Sequence, residues 1–269
     1  MLIDSHAHLD DDAFAEDRPA VIARARAAGV RGIINVGFSP ERWATTAALC
    51  AAYPDISAAV GLHPHEAARW GPALGKDLRA ALRGPKVVGL GEIGLDFYRD
   101  YAPHECQRAA FREQLALAQE LALPVIIHSR AAEDEVVDTL IGAGISRGVL
   151  HSFSGPLPAA ERALAHGLHI SLTGPVSYPR AEHQRDLARL IPLDRLLLET
   201  DCPYLAPQAR RGRRNEPAFL PFIAAAIADA RGEAPARIIA ATGTNAVRLF
   251  GLAIDAPGER PEQAGQETA

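Results

Sequence analysis

The chain has 269 residues, of which 48% are hydrophobic and 23% are charged, and its formal net charge is -5. This is the composition of an ordinary globular protein, and a single α/β barrel of about 250 residues would account for the length. The negative charge excludes a general attraction to nucleic acid, so any polyanion must bind through a local basic patch or through metal ions.

Short apolar runs alternate with longer amphipathic stretches along the chain. The apolar runs predict strands at residues 2–8, 32–36, 56–60, 87–92, 124–127, 148–150, 169–172 and 196–198. The amphipathic stretches predict helices at 18–28, 40–53, 76–82, 103–121, 133–143, 157–166, 181–190, 219–230 and 236–250. Strands that alternate with helices are parallel, and eight such repeats favour a closed (β/α)8 TIM barrel over an open doubly wound sheet.

The expected organisation is one barrel domain over residues 1–254, with an extra C-terminal helix, and a disordered tail over 255–269, where Pro, Gly, Glu and Gln replace apolar residues. Cys50, Cys106 and Cys202 have no paired spacing, which is typical of a reducing compartment rather than of a disulfide framework. Neither a signal peptide nor an apolar run of membrane length is found. We therefore expect a cytoplasmic protein with no membrane partner.

The first predicted strand carries side chains that bind metals. Asp4, His6 and His8 occupy alternate positions, and alternate side chains on a strand share one face. Each neutral imidazole offers one lone pair to a transition metal, so two of them at a strand end form half of a metal site. An isolated His-x-His is equally typical of an exposed polar strand end, so the interpretation depends on the later strands.

Later strands end in the same kinds of side chain. In a TIM barrel the C-terminal ends of the strands meet at one mouth, where barrel enzymes place their chemistry. The residues expected to meet there as metal ligands are His6, His8, Glu92, His128, His151 and Asp201. Six ligands are too many for one tetrahedral zinc ion, and they favour two divalent metal ions.

Glu92 is the expected bridging ligand, because it is central in the order of the strands. Imidazole and carboxylate ligands without thiolate suit zinc, manganese or magnesium, and they do not choose between these metals. Two such ions lower the pKa of a shared water and stabilise charge on a phosphoryl or acyl oxygen. The sequence therefore predicts metal-assisted hydrolysis, with Glu92 and Asp201 as the catalytic residues.

Basic and aromatic side chains near the expected mouth bear on the substrate. Guanidinium groups hold phosphates with two hydrogen bonds, and we expect this role for Arg130, Arg213 and Arg214, although arginine-rich runs also form solvated loops. Further candidates for substrate contact are His63, His65, Phe153 and Tyr204. The two histidines would otherwise cap a loop, and the two aromatic rings, which could stack on a base, would otherwise pack in the core or at the rim.

Eight short stretches together resemble the TatD family of metal-dependent deoxyribonucleases, within the wider group of amidohydrolase-like barrels. They are DSHAHL at 4–9, GLHPH at 61–65, GEIGLD at 91–96, PVIIHSR at 124–130, HSFSG at 151–155, LETDCPYL at 198–205, RNEP at 214–217 and TNA at 244–246. They follow the order of the family and extend over almost the whole predicted barrel. The resemblance implies a TIM barrel that binds two divalent metal ions.

The resemblance also implies how the ligands are shared. One ion would be held by His6, His8, Glu92 and Asp201, and the second by Glu92, His128 and His151. The implied reaction is hydrolysis of DNA phosphodiester bonds, often from the 3′ end, with single-stranded DNA or frayed ends as the partner. Glu199 also matches the motif, and we expect it to orient a ligand. No protein partner is evident, so we expect a monomer.

The leading hypothesis is a two-metal deoxyribonuclease in which Asp201 helps to take the proton of the attacking water. An alternative is an esterase or amidohydrolase on the same metals, such as a D-aminoacyl-tRNA deacylase, because related barrels hydrolyse amides and esters with similar ligands. A third is a nucleic-acid-binding protein with a vestigial site, which the intact ligand set disfavours. This third hypothesis predicts DNA binding that a chelator does not change and no turnover with any metal.

Overall fold

The structure is a computed structural model that describes residues 1–99 and 101–253. Its strands form one parallel sheet in which each strand pairs with the next in chain order. They are β1 (Leu2–Ala7), β2 (Val30–Gly37), β3 (Ile56–Val60), β4 (Val87–Asp96), β5 (Val125–Arg130), β6 (Gly148–Leu150), β7 (His169–Leu172) and β8 (Leu196–Leu198). This is the strand order of a (β/α)8 TIM barrel, so the predicted fold class is confirmed.

Helices connect the successive strands, and two more helices follow β8. They are α1 (Arg18–Ala27), α2 (Pro40–Ala52), α3 (Pro72–Ala81), α4 (His104–Glu120), α5 (Glu133–Gly142), α6 (Leu157–Ala165), α7 (Glu182–Leu190), α8 (Leu220–Arg231) and α9 (Pro235–Phe250). Proline stands in the first turn of α1, α2, α3, α6, α8 and α9, where its missing N–H costs no helical hydrogen bond. Gly232 and Gly251 end α8 and α9 in the left-handed conformation.

Hydrogen bonds between β1 and the chain that follows β8 close the barrel. The Asp201 N–H donates to the carbonyl oxygen of His6 at 3.0 Å, and the His8 N–H donates to the carbonyl oxygen of Cys202 at 2.9 Å. Asp4, deeper in the same seam, accepts from the Thr200 N–H at 2.9 Å. The seam therefore fixes His6, His8 and Asp201 relative to one another.

Alternate strand residues pack into two layers of core. One layer lies between strands and helices and includes Phe14, Leu95 and Phe111. In the other layer, strand residues such as Ile126 pack against Phe250 of α9. Because side chains on a strand alternate, the residue two places after Ile126 lies on the same face of β5, and that residue is His128. The pattern that builds the inner core thus also aims polar side chains into the mouth.

Strands β2, β4 and β5 and helix α3 are each at least two residues longer than predicted. Strand β4 continues to Asp96 instead of ending at Glu92, because the buried side chains of Ile93 and Leu95 keep it in the sheet. Helix α3 begins at Pro72, four residues before the predicted start. The predicted tail at 255–269 lies outside the described residues. Of the helices in the described part of the chain, none is long and apolar enough to cross a membrane.

Candidate metal centre

The six predicted ligands lie together at the mouth of the barrel. They occupy the C-terminal parts of β1, β4 and β5 or the first positions after β1, β6 and β8. All six side chains are mostly or wholly buried, with no exposed fraction above 16%. Burial of so many polar groups in one place is costly unless they pair with one another or bind an ion.

The Glu92 carboxylate stands at the centre of this group. Its Oε1 lies 2.8 Å from Nδ1 of His128 and 2.9 Å from Nε2 of His151. Its Oε2 lies 3.5 Å from Nε2 of His6, and Nε2 of His63 lies 3.4 Å from Oε1. One carboxylate therefore faces four imidazoles, as the predicted bridging position requires.

His6, His8 and Asp201 form the side of the centre next to the barrel seam. The Nε2 atoms of His6 and His8 are 3.2 Å apart. Oδ1 of Asp201 lies 3.5 Å from Nε2 of His8 and 3.8 Å from Nε2 of His6. Asp201 has a positive φ of 55°, a conformation that aspartate tolerates better than most residues. All three polar tips therefore point to the same space.

The outer ring nitrogens of three of these histidines have acceptors, so the inner nitrogens are the ones that would offer a lone pair to a bound ion. Nδ1 of His8 donates to the carbonyl oxygen of Val36 at 3.0 Å. Nδ1 of His151 lies 3.2 Å from Oε1 of Glu199. On His128 the roles of the nitrogens are exchanged, because Nε2 contacts a second carboxylate and Nδ1 faces Glu92. Metal-binding histidines are held in this way by hydrogen bonds behind the ring.

The carboxylate behind His128 is Asp96, whose Oδ2 lies 2.9 Å from Nε2 of His128 and 3.0 Å from Nε2 of His65. Asp96 was not among the residues predicted for the site. A signal was present, since Asp96 is four residues after Glu92 and alternate residues of a strand share a face. Asp96 and Glu199 thus hold equivalent positions behind His128 and His151.

The donor set fits divalent metal ions. Two nitrogens that ligate one tetrahedral zinc ion are roughly 3.3–3.4 Å apart, and the Nε2 atoms of His6 and His8 are separated by 3.2 Å. These two nitrogens face each other, so they would repel each other if both carried a proton at the same time. Among the described residues, three groups of side chains have ligand atoms close enough to hold an ion; they are His6–His8–Glu92, His63–Glu92–His128 and His6–His151–Glu199. The geometry therefore accommodates metal binding on more than one side of Glu92.

The charges at the centre favour anionic carboxylates. Burial raises the pKa of Glu92, but the imidazoles of His151 and His63 outweigh it and hold that pKa well below its usual value. The pKa of Asp201 is likewise lowered, because its hydrogen bond to His8 outweighs burial. Burial lowers the pKa of His8, but the carboxylates of Asp201 and Glu92 outweigh burial and raise that pKa to about 9. A bound cation would replace these imidazolium protons as the balancing positive charge.

His63 differs from the predicted ligands. Its Nδ1 accepts a hydrogen bond from the His65 N–H at 3.2 Å, so a neutral ring carries its proton on Nε2. Burial lowers the pKa of His63 to about 4, which keeps the ring neutral. In this tautomer Nε2 of His63 presents an N–H to the Glu92 carboxylate.

Four of the residues predicted to contact substrate lie at the mouth. The pocket above the ligands has a volume of about 820 Å³ and is lined by His63, His65, Arg130 and Tyr204, among others. A second pocket of about 360 Å³, beside the first, is also lined by Arg130 and Tyr204. These side chains surround the space in which a substrate would meet the ligands.

Phe153 was predicted wrongly as a substrate contact. Its side chain is only 1% exposed and belongs to the hydrophobic core. Ser152, with a positive φ of 44°, turns the chain sharply after His151. The turn directs the Phe153 ring inward, so it cannot stack on a base.

Arg213 and Arg214 lie apart from the two mouth pockets, and their contact with substrate stays a prediction. They line a different cleft with Arg24, Arg210, Glu216 and Phe219, and this cleft shares no lining residue with either mouth pocket in the described part of the chain. Arg214 forms an ion pair with Asp17 at 2.8 Å, and its guanidinium lies 4.5 Å from the centre of the Phe14 ring. These contacts make Arg214 a link between α1 and the loop after β8.

Comparison with known proteins agrees with this geometry. The family model described as TatD related DNase matches residues 3–251. The protein named 3′-5′ ssDNA/RNA exonuclease TatD of Erwinia tasmaniensis is 41% identical over 259 residues, covering 93% of this chain and 100% of the relative. The protein of Bacillus subtilis named uncharacterized metal-dependent hydrolase YabD is 38% identical over 252 residues, covering 93% and 99%.

A solved structure is also similar to this chain over most of its length. The crystal structure of YJJV, a TatD homologue from Escherichia coli K12, is similar to this chain with a TM-score of 0.89 and 37% sequence identity. The similarity covers 94% of this chain and 98% of YJJV. It therefore extends over most of the barrel. The chain belongs to the TatD-related DNase family.

Proposed function

We propose that this chain is a metal-dependent exonuclease that hydrolyses phosphodiester bonds of single-stranded DNA from the 3′ end. The observation that carries the proposal is the centre itself, where buried imidazoles and Asp201 surround Glu92 in a member of this family. The relative from Erwinia tasmaniensis is named a 3′-5′ ssDNA/RNA exonuclease, which supports the substrate and the polarity.

In this proposal the centre holds two divalent ions, which are zinc, manganese or magnesium. His6, His8, Glu92 and Asp201 hold one ion, and Glu92, His128 and His151 hold the other. When bound, such ions lower the pKa of water and stabilise negative charge on a phosphoryl group. A single copy of the chain supplies every ligand, so the proposal requires only a monomer. We also propose that residues 1–254 act as one domain.

The side chains around the centre have separate roles in the reaction. Asp201, anionic at neutral pH, accepts a proton from the attacking water. The water oxygen forms a bond to phosphorus, the phosphorus–oxygen bond to the rest of the strand breaks, and the leaving 3′ oxygen takes up a proton from solvent. His63 donates its Nε2 hydrogen to an oxygen of the phosphate, and Arg130 holds a neighbouring phosphate from the rim. Asp96 and Glu199 are positioning residues, because they act through His128 and His151.

The test uses metal-stripped protein restored with magnesium, manganese or zinc and a 5′-labelled single-stranded oligonucleotide. We expect stepwise shortening of the label-bearing strand that requires added metal. The His128→Ala variant should lose this activity, and so should Asp201→Asn, which removes the proton acceptor. His166→Ala is the matched control, since His166 lies at the end of α6 next to the start of β7 and should leave the rate unchanged.

Three results would contradict the proposal. Full activity in His128→Ala or Asp201→Asn would remove these residues from the centre. Shortening from the labelled 5′ end would reverse the polarity. Intact DNA with every metal, together with metal-dependent hydrolysis of a carboxylic ester or amide, would establish a different hydrolase on the same barrel.

A further inference from the structure

Large apolar side chains are exposed chiefly at the mouth of the barrel. Among the described residues, those exposed over more than about a third of their surface are Met1, Tyr98, Tyr101, Ile141, Tyr204 and Leu205. Four of these six lie on the loops that follow β4 and β8. Tyr98 and Tyr101 are the most exposed, at 62% and 65%. Packing does not account for such rings, and exposed aromatic groups beside a pocket are typical of a binding surface.

Both tyrosine rings contact side chains that line the pocket above the ligands. The guanidinium groups of Arg130 and Arg99 lie 4.0 Å and 5.6 Å from the centre of the Tyr98 ring, which are cation–π distances. The His65 ring lies 4.7 Å from the Tyr101 ring, at an angle of 80° between the planes. Tyr101 itself lines the pocket, as does Arg99 between the two tyrosines. The rings therefore continue the pocket outward rather than forming a separate patch.

The loop that carries these rings is fixed by the same carboxylate that holds His128. Oδ1 of Asp96 accepts hydrogen bonds from the Tyr98 N–H at 3.0 Å and the Arg99 N–H at 2.9 Å. Oδ2 of Asp96 contacts Nε2 of His128 at 2.9 Å. The backbone at Tyr98 is thus held at a set distance from the centre, which is what a surface that positions a strand for cleavage needs.

We propose that Tyr98 and Tyr101 form a base-stacking platform for the single-stranded nucleic acid that enters the mouth. This inference rests on the proposed nuclease function and deepens it. Stacking on aromatic side chains accepts any base, as an enzyme that removes successive nucleotides requires. The guanidinium groups of Arg99 and Arg130 lie over the Tyr98 ring and complement the phosphates between stacked bases. An unpaired strand fits this surface, because its base faces are free to stack.

The test measures binding without cleavage. Full-length protein restored with Mg²⁺ is mixed with a fluorescent single-stranded oligonucleotide whose phosphorothioate linkages resist hydrolysis, and Kd is read from anisotropy. The variants are Tyr98→Ala, Tyr101→Ala and the double variant, with Tyr98→Phe and Tyr101→Phe as matched controls that keep the rings. We expect each alanine variant to raise Kd by about 5- to 100-fold, the loss of one stacked base, and the phenylalanine variants to bind as the wild type does.

A second oligonucleotide separates stacking from phosphate binding. It has the same backbone but abasic sugars upstream of its 3′ nucleotide. The platform predicts that wild type and alanine variants bind this oligonucleotide with equal Kd. The proposal would be overturned if the alanine variants bound the base-bearing strand with the wild-type Kd. It would also be overturned if their Kd rose by the same factor for the base-bearing and the abasic strand.

A small substrate distinguishes failure of the platform from failure of the proposed function. Bis-p-nitrophenyl phosphate has a phosphodiester but is too short to reach from the centre to the platform. The alanine variants should hydrolyse it at the wild-type rate while their KM for the cleavable oligonucleotide rises. A wild-type protein that cleaves neither substrate would contradict the nuclease function. If the wild type cleaves both substrates and the alanine variants have the wild-type KM for the cleavable oligonucleotide, only the platform would be contradicted.

Discussion

At the scale of single residues, a histidine can ligate an ion through either ring nitrogen, and the group behind the ring makes the choice. His151 turns Nε2 to the centre because its Nδ1 faces Glu199, whereas His128 turns Nδ1 inward because its Nε2 faces Asp96. Each carboxylate fixes both the tautomer and the direction of its ring. Affinity for metal should therefore depend on these two acids as well as on the ligands.

The Asp96→Asn variant should bind metal more weakly than the wild type. Asparagine cannot offer the charged acceptor that orients His128, and loss of such an outer partner typically costs about 10- to 100-fold in metal affinity. Calorimetric titration of metal into the stripped protein would measure the change. Asp77→Asn, on the exposed surface of α3, is a matched control that should keep the wild-type affinity. Equal affinity in the two variants would show that Asp96 does not position His128.

From the sequence, the identities of the ligand residues could be predicted better than the direction in which each side chain points. His6, His8, Glu92, His128 and Asp201 converge because strand alternation and barrel closure, both readable from the sequence, place them on one face. Phe153 was wrong because the turn at Ser152 reverses the alternation just after β6. Such a turn depends on local backbone angles that composition does not specify.

At the scale of elements, β4 and β5 together position half of the centre. Glu92 and Asp96 lie on β4, and His128 lies on its neighbour β5. Gly94 pairs with His128 in the register of the two strands and has a φ of 145°. A side chain at Gly94 would collide with the carbonyl oxygen of His128. The two strands can approach as closely as the centre requires only with glycine at this position.

Gly94→Ala should therefore damage both stability and metal binding. The unfavourable φ and the collision should lower the free energy of unfolding by about 2 kcal/mol or more. Urea unfolding of the metal-stripped protein would measure this loss. Gly142→Ala, at the end of α5, is the matched control, because a Cβ there would meet no atom within 4 Å. A stable Gly94→Ala protein with wild-type metal affinity would show that the spacing of β4 and β5 is not critical.

The order of elements was predictable, but the contacts of long loops were not. The alternation of apolar runs and amphipathic stretches predicted the strands and helices of the barrel in order. The arginine run after β8 was expected at the mouth because β8 ends there. In the structure the loop continues to α1, where Arg214 binds Asp17 over a separation of 197 residues. Pairings this distant in sequence leave no periodic pattern to detect.

At the scale of the whole molecule, one buried histidine outside the ligand set should link stability to pH. His169, the first residue of β7, is buried, and burial together with the nearby Arg195 lowers its pKa to about 4. The unfolded chain has the ordinary histidine pKa near 6.5. Between about pH 4 and pH 6.5, His169 therefore binds a proton in the unfolded state but not in the folded state. The contribution of His169 to the free energy of unfolding is therefore fully present above about pH 6.5 and is lost as the pH falls toward 4.

The wild type should lose about 2–3 kcal/mol of stability through His169 between pH 7 and pH 4.5. The His169→Gln variant lacks this group and should show a correspondingly smaller loss over the same range. Denaturant unfolding of both metal-stripped proteins at the two pH values would measure the difference, since the ligand histidines titrate equally in both. Identical losses in the two proteins would exclude His169 as a source of acid sensitivity.

The central claim is that two ions around Glu92 carry out hydrolysis at the end of a DNA strand. The measurement that tests it most directly is a titration of Mn²⁺ into concentrated metal-stripped protein, with release of the terminal nucleotide from a 3′-labelled single strand as the readout. The account predicts that nucleotide release rises mainly with the second equivalent of metal, and that it is absent at every equivalent in Glu92→Gln. Full release with one equivalent, or release by Glu92→Gln, would contradict it.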